Sequence, residues 1–133
     1  MDVDWTRNNK IGLRNLKEAS DFHDLVKTLI VRMLRREHPD SHNVHIYTEF
    51  SPDKPREEFP DIWMSIKKDI IVFEIQKKIT KEWTKKVVER YKDCDLIIVE
   101  LEKDLKEWND KIHSKNETDP IKLLRNILNK YIV

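Results

Sequence analysis

Glycine is nearly missing from this chain: Gly12 is the only one in 133 residues. That excludes the glycine-rich phosphate loop and the G-x-G-x-x-G fingerprint, both of which need several residues that let a phosphate approach the backbone. Cysteine is as scarce. With Cys94 alone, neither an intrachain disulfide framework nor a thiolate zinc site can be assembled, and a reducing, intracellular (cytoplasmic) setting is the expectation. No apolar run approaches the length of a membrane span, and Met1-Asp2-Val3-Asp4 does not read as a signal peptide, so no membrane partner is expected. Charge of one sign is also lacking. The formal net charge of +1 excludes a uniformly basic protein and leaves room only for a local basic face. No nucleophile–histidine constellation stands out. Glutamine occurs once, at Gln76.

What the chain does have is 38% apolar and 38% charged residues, the balance of one globular core under a heavily charged surface. Residues 1–14, with Arg7, Lys10 and Arg14, read as an N-terminal arm. From about Asn15 to Glu37, the residues Leu16, Phe22, Leu25, Val26, Leu29, Ile30 and Met33 follow helical spacing. Glu18 lies four residues before Phe22, on the side that packs inward, an unusual place for a carboxylate. Val44–Phe50 alternates as a strand. Asp61–Ile66 and Ile70–Gln76 form a hairpin around Lys67-Lys68-Asp69. The second of these strands is apolar on both faces, as expected of a strand covered by helices on both sides. Thr80 caps a helix carrying Trp83, Val87, Val88 and Tyr91, Asp95–Leu101 is a fourth strand, and two amphipathic helices follow, the last capped by Asp119 with Pro120 in its first turn. Strand–helix–strand spacing implies a right-handed crossover and a parallel pair. The expected fold is α/β: a mixed four-stranded sheet flanked by helices in the order αβββαβ, plus C-terminal helices, in a single domain over residues 1–133 with its core at 15–101.

The chemistry concentrates between Phe59 and Lys78. Along a strand Glu74, Gln76 and Lys78 share one face while Lys77 takes the other. Folding the hairpin brings Asp61, at the start of one strand, beside Glu74, near the end of the next. Two carboxylates held about 4 Å apart repel by roughly 4 kcal/mol at an effective dielectric of 20, so a fold keeps them together when a cation or a shared proton relieves them. Oxygen-only ligation suits Mg²⁺ or Mn²⁺, and such an ion serves phosphodiester hydrolysis. Asp61 and Glu74 are therefore the candidate metal ligands. Lys67, Lys68, Lys77, Lys78, Lys81 and Lys85 form a candidate basic face for DNA phosphates.

P-D-x₁₂-E-I-Q-K-K, preceded by an acid-bearing helix and followed by helix and strand, resembles the PD-(D/E)XK nuclease superfamily over roughly residues 15–101. The resemblance implies a restriction-endonuclease-like core and Mg²⁺-dependent (or Mn²⁺-dependent) DNA cleavage leaving 5′-phosphate and 3′-hydroxyl ends. By position, Asp61 matches the motif's Asp, Glu74 its second acid, and Glu18 the additional acid some members carry on the first helix, with Glu49 as its substitute. Gln76 stands where the motif has lysine, as in the E-x-Q variants of some active restriction enzymes. Lys78 is the first substitute for that lysine, ahead of Lys77 and of Lys81 or Lys85 from the helix. Symmetric cutting of a duplex implies a homodimer. The alternative is a nuclease-like fold kept as a non-catalytic nucleic-acid or protein-binding module.

Overall fold

The computed structural model describes residues 21–49, 59–115 and 119–133. Helix α1 (Asp21–Glu37) is followed by strands β1 (Val44–Thr48), β2 (Ile62–Ile66) and β3 (Asp69–Gln76), helix α2 (Lys81–Arg90), strand β4 (Asp95–Glu100), and helices α3 (Leu101–Lys115) and α4 (Pro120–Leu128). A short 3₁₀ turn over Asn129–Tyr131 follows α4. The expected α/β order is observed. The strands form one sheet in the order β1-β2-β3-β4, antiparallel between β1, β2 and β3 and parallel between β3 and β4.

Burial follows from where each strand sits. β3 lies inside the sheet and is covered on both faces. Ile71, Phe73 and Ile75 join Val26, Ile30 and Leu34 of α1 and Leu124 and Leu128 of α4 in the larger core. Val72 joins Trp63, Val87 and Tyr91 in a smaller core under α2. On β1 the inward residues Val44, Ile46 and Thr48 are buried and alternate with half-buried His45 and Tyr47. Thr80 caps α2 by accepting the Trp83 N–H at 3.1 Å, and Asp119 caps α4 by accepting the Lys122 N–H at 3.0 Å. Such caps occupy N–H groups that have no partner within the helix.

Strand ends depart from the expected bounds where the backbone turns. β1 stops at Thr48 because Glu49 adopts a left-handed φ of 50°. β2 starts at Ile62, with Asp61 in the bend before it. β3 ends at Gln76, and Lys77 and Lys78 lie in an exposed bend. The alternation that would put Lys78 on the face of Glu74 therefore does not continue that far. β4 ends at Glu100, and Leu101 already belongs to α3.

The Arg35 Nη1 donates to the Val44 carbonyl at 3.1 Å, which fixes the C-terminal end of α1 over the start of β1. The N-terminal half of α1 consequently lies over the opposite end of the sheet, where β1 ends, β2 begins and β3 ends. At the chain's end, the buried Asp104 of α3 accepts from Lys130 Nζ and from the Tyr131 hydroxyl, each at 2.6 Å, tying the final turn to the core.

Candidate active site

The ladder sets the site. Ile62 pairs with Phe73 and Thr48 with Ile62, so one step outward the register aligns Glu49, just past the end of β1, and Asp61, just before β2, with Glu74 of β3. The Glu49 N–H donates to the Asp61 carbonyl at 3.3 Å, extending the β1–β2 pairing to that step. Asp61 and Glu74 are both buried, at 0% and 5% exposure. Carboxylates are seldom buried to that degree without partners.

Each acid is held from a different side. One carboxylate oxygen of Asp61 accepts the Ile75 N–H at 2.7 Å, a side chain taking the place of the next ladder bond. The other lies 3.2 Å from His23 Nε2 of α1. Glu74 shares the α2 side of β3 with Val72 and accepts the Tyr91 hydroxyl; burial, with the Glu74 carboxylate beside it, pushes that hydroxyl well above its ordinary pKa. A phenol kept protonated in this way serves Glu74 as a fixed donor. Gln76 is half-buried and aligned with Glu100 of β4.

Glu49 and Lys27 form a second pairing at the same end. Alternation would send the Glu49 side chain to the α2 face, opposite Thr48. The left-handed φ breaks that alternation, and the carboxylate meets Lys27 Nζ of α1 at 3.3 Å. Lys27 is completely buried.

The donor chemistry fits a hard divalent cation. Asp61 and Glu74 offer carboxylate oxygens, which are the ligands Mg²⁺ and Mn²⁺ prefer, and an oxygen accepting one hydrogen bond still has a second lone pair. Among the described residues, no group of three His, Cys, Asp or Glu is arranged to hold a metal ion. Glu18, the expected further acid, lies outside the described residues, as do the arm residues Arg7, Lys10 and Arg14.

The expected basic residues divide into two groups. Lys77 and Lys78 follow β3 at the acidic end, and Lys81 and Lys85 occupy the first two turns of α2; all four are exposed. Lys67 and Lys68 are exposed in the β2–β3 turn. They are about 20 Å from Asp61, reckoned as six residues at roughly 3.3 Å each. A groove of about 360 Å³ between Arg36, Arg125 and Asn129 lies at the C-terminal end of α1, also away from the acids.

Sequence spacing alone does not single out His23 and Lys27 as neighbours of the site. A signal is nevertheless present: they stand four residues apart and, with Val26, Ile30 and Leu34, make the buried stripe of α1. Phe22, Leu25 and Met33, which the helical pattern also selects, flank that stripe and are half-buried. No protein-family model, curated protein or solved structure matches this chain.

Proposed function

We propose that this protein is a Mg²⁺-dependent DNA nuclease that hydrolyses phosphodiester bonds to 5′-phosphate and 3′-hydroxyl ends. The observation that carries the reading is the register that sets Asp61 opposite Glu74, both buried, at one end of a mixed sheet of αβββαβ order. Asp61 and Glu74 would hold the ion, which supplies a Lewis acid for phosphoryl charge and acidifies water. The protein's own contribution is preorganisation. The Ile75 N–H fixes Asp61 and the Tyr91 hydroxyl fixes Glu74, so neither carboxylate need be ordered when substrate arrives. Gln76 brings an amide to the site. It can orient water or donate to a phosphate oxygen, but it cannot supply the charge of the motif lysine. Lys77, Lys78, Lys81 and Lys85 would attract the DNA backbone, and a homodimer would let two such sites cut the two strands of a duplex.

Gln76 also favours a second reading, a nuclease-like module that binds nucleic acid without cutting it. One experiment separates the two. Purified protein is offered linear duplex, single-stranded, flap and four-way-junction DNA with Mg²⁺, with Mn²⁺ and with EDTA. Divalent-dependent products with 5′-phosphate ends support the nuclease. Salt-sensitive binding with no product on any substrate supports the module, and cleavage that survives EDTA refutes the metal-dependent reading.

A further inference from the structure

The acidic end of the sheet has a buried cation, and it comes from the helix rather than from the strand. Lys27 is completely buried on α1, one helical turn beyond His23 and on the same inward stripe. Its ammonium meets Glu49 at 3.3 Å, Glu49 binds Asp61 through the backbone, and Asp61 meets His23 at 3.2 Å. These contacts link two positions of α1 to two adjacent strand ends.

Two features make this contact costly if it serves packing alone. A buried ammonium must be stripped of water, and an apolar side chain of similar length would fill the same space without that penalty. Glu49 is held at a φ of 50°, a conformation that a non-glycine residue adopts at a cost. An apolar pair in place of Lys27 and Glu49, or an extended backbone at Glu49, would avoid these costs. Both are instead spent on bringing one carboxylate and one ammonium together beside Asp61, and departures of this kind cluster at functional sites. The strand position aligned with Glu100 holds the neutral Gln76, so β3 supplies no charge there.

We propose that Lys27 is the positioning cation of this site, standing in from α1 for the positive charge that β3 lacks at Gln76. It holds Glu49 against Asp61 and sets the charge that a divalent ion meets there. Because its ammonium is buried, it acts through Glu49 and through its field rather than by touching the substrate. This assignment rests on the nuclease reading for its kinetic consequence, but its effect on ion binding does not depend on cleavage.

The test is Lys27→Met, which keeps length and apolar volume while deleting the charge. Mn²⁺ affinity is measured by calorimetry, and kcat and KM are measured on the best DNA substrate. Loss of a like charge and release of Glu49 should tighten Mn²⁺ binding at least about threefold. Loss of preorganisation should lower kcat by about 30-fold or more with KM little changed. Lys27→Arg, which keeps the charge, should recover part of the rate. If Lys27→Met does not fold, Lys27→Gln, which deletes the charge but keeps a donor for the Glu49 carboxylate, is measured in its place, with the same direction expected for Mn²⁺ affinity and for kcat. Unchanged Mn²⁺ affinity overturns the assignment, whether or not the rate falls, because a packing role alone would leave the ion's affinity where it was. A wild-type protein whose Mn²⁺ binding is tightened by the substitution, but which cuts no DNA, sustains the role of Lys27 and overturns the nuclease reading. A wild-type protein that binds no Mn²⁺ overturns both.

Discussion

Asp61 carries two duties that can be separated by substitution. Its carboxylate is fully buried, accepts the Ile75 N–H at 2.7 Å and lies 3.2 Å from His23. Asp61→Asn keeps an oxygen in place for the Ile75 N–H and removes a buried charge, so its stability should stay within about 1 kcal/mol of wild type. Asp61→Ala removes the acceptor, and a buried N–H left without one costs about 1–3 kcal/mol. The alanine variant should therefore be less stable than the asparagine variant by about 2 kcal/mol. With a urea m-value of about 2 kcal/mol/M, that separates their unfolding midpoints by about 1 M. Cleavage should nevertheless be lost equally in both, since neither retains the anionic oxygens that would hold a divalent ion. Urea denaturation followed by tryptophan fluorescence, paired with a nicking assay on the same preparations, reads both quantities. Equal midpoints would refute the anchoring role of the Ile75 hydrogen bond. Wild-type cleavage by Asp61→Asn would refute the metal-ligand role.

Three further outcomes are expected. Burial and the Asp104 carboxylate raise the Tyr131 pKa above its ordinary value of 10.0. The stability this hydroxyl contributes is therefore full below pH 10 and declines as pH rises above it, and Tyr131→Phe should flatten that alkaline decline in thermal melts without removing it. Thr80→Ala deletes the cap on α2 and should cost about 1 kcal/mol in denaturant titrations, with no loss beyond that expected of an N-cap. Lys81→Gln with Lys85→Gln should weaken DNA binding and reduce the slope of log affinity against log salt by about 1 for each phosphate no longer neutralised, whereas Lys67→Gln with Lys68→Gln should leave that slope unchanged in fluorescence anisotropy.

The strands are legible in the sequence because burial imposes local patterns. Val44, Ile46 and Thr48 alternate where one face is buried, and β3 is apolar throughout where both faces are covered. The caps at Thr80 and Asp119 follow from the need of a helix N-terminus for side-chain acceptors, which is written in adjacent residues. The pairing of Asp61 with Glu74 is legible because a two-residue turn leaves the hairpin little freedom of register. The remainder depends on contacts between distant parts of the chain. Nothing near Glu49 announces its left-handed backbone, and nothing near Lys27 or His23 shows which end of the sheet α1 covers. Arg35 decides that by binding the Val44 carbonyl. In sequence Tyr91 is one more residue of an apolar stripe, and only the packing of α2 on β3 turns its hydroxyl to Glu74. The alternation that would carry Lys78 onto the face of Glu74 stops where the strand does, at Gln76, and Lys78 lies in the exposed bend that follows.

Glu74 gives the most direct test of the proposed activity. Glu74→Gln keeps an acceptor for the Tyr91 hydroxyl and the volume of the side chain, so the fold should survive, as checked by circular dichroism and melting temperature. With Mg²⁺ or Mn²⁺ present, wild-type protein should cut DNA, and the Glu74→Gln variant should cut it at least about 100-fold more slowly. A folded Glu74→Gln protein that cleaves at the wild-type rate would contradict the account.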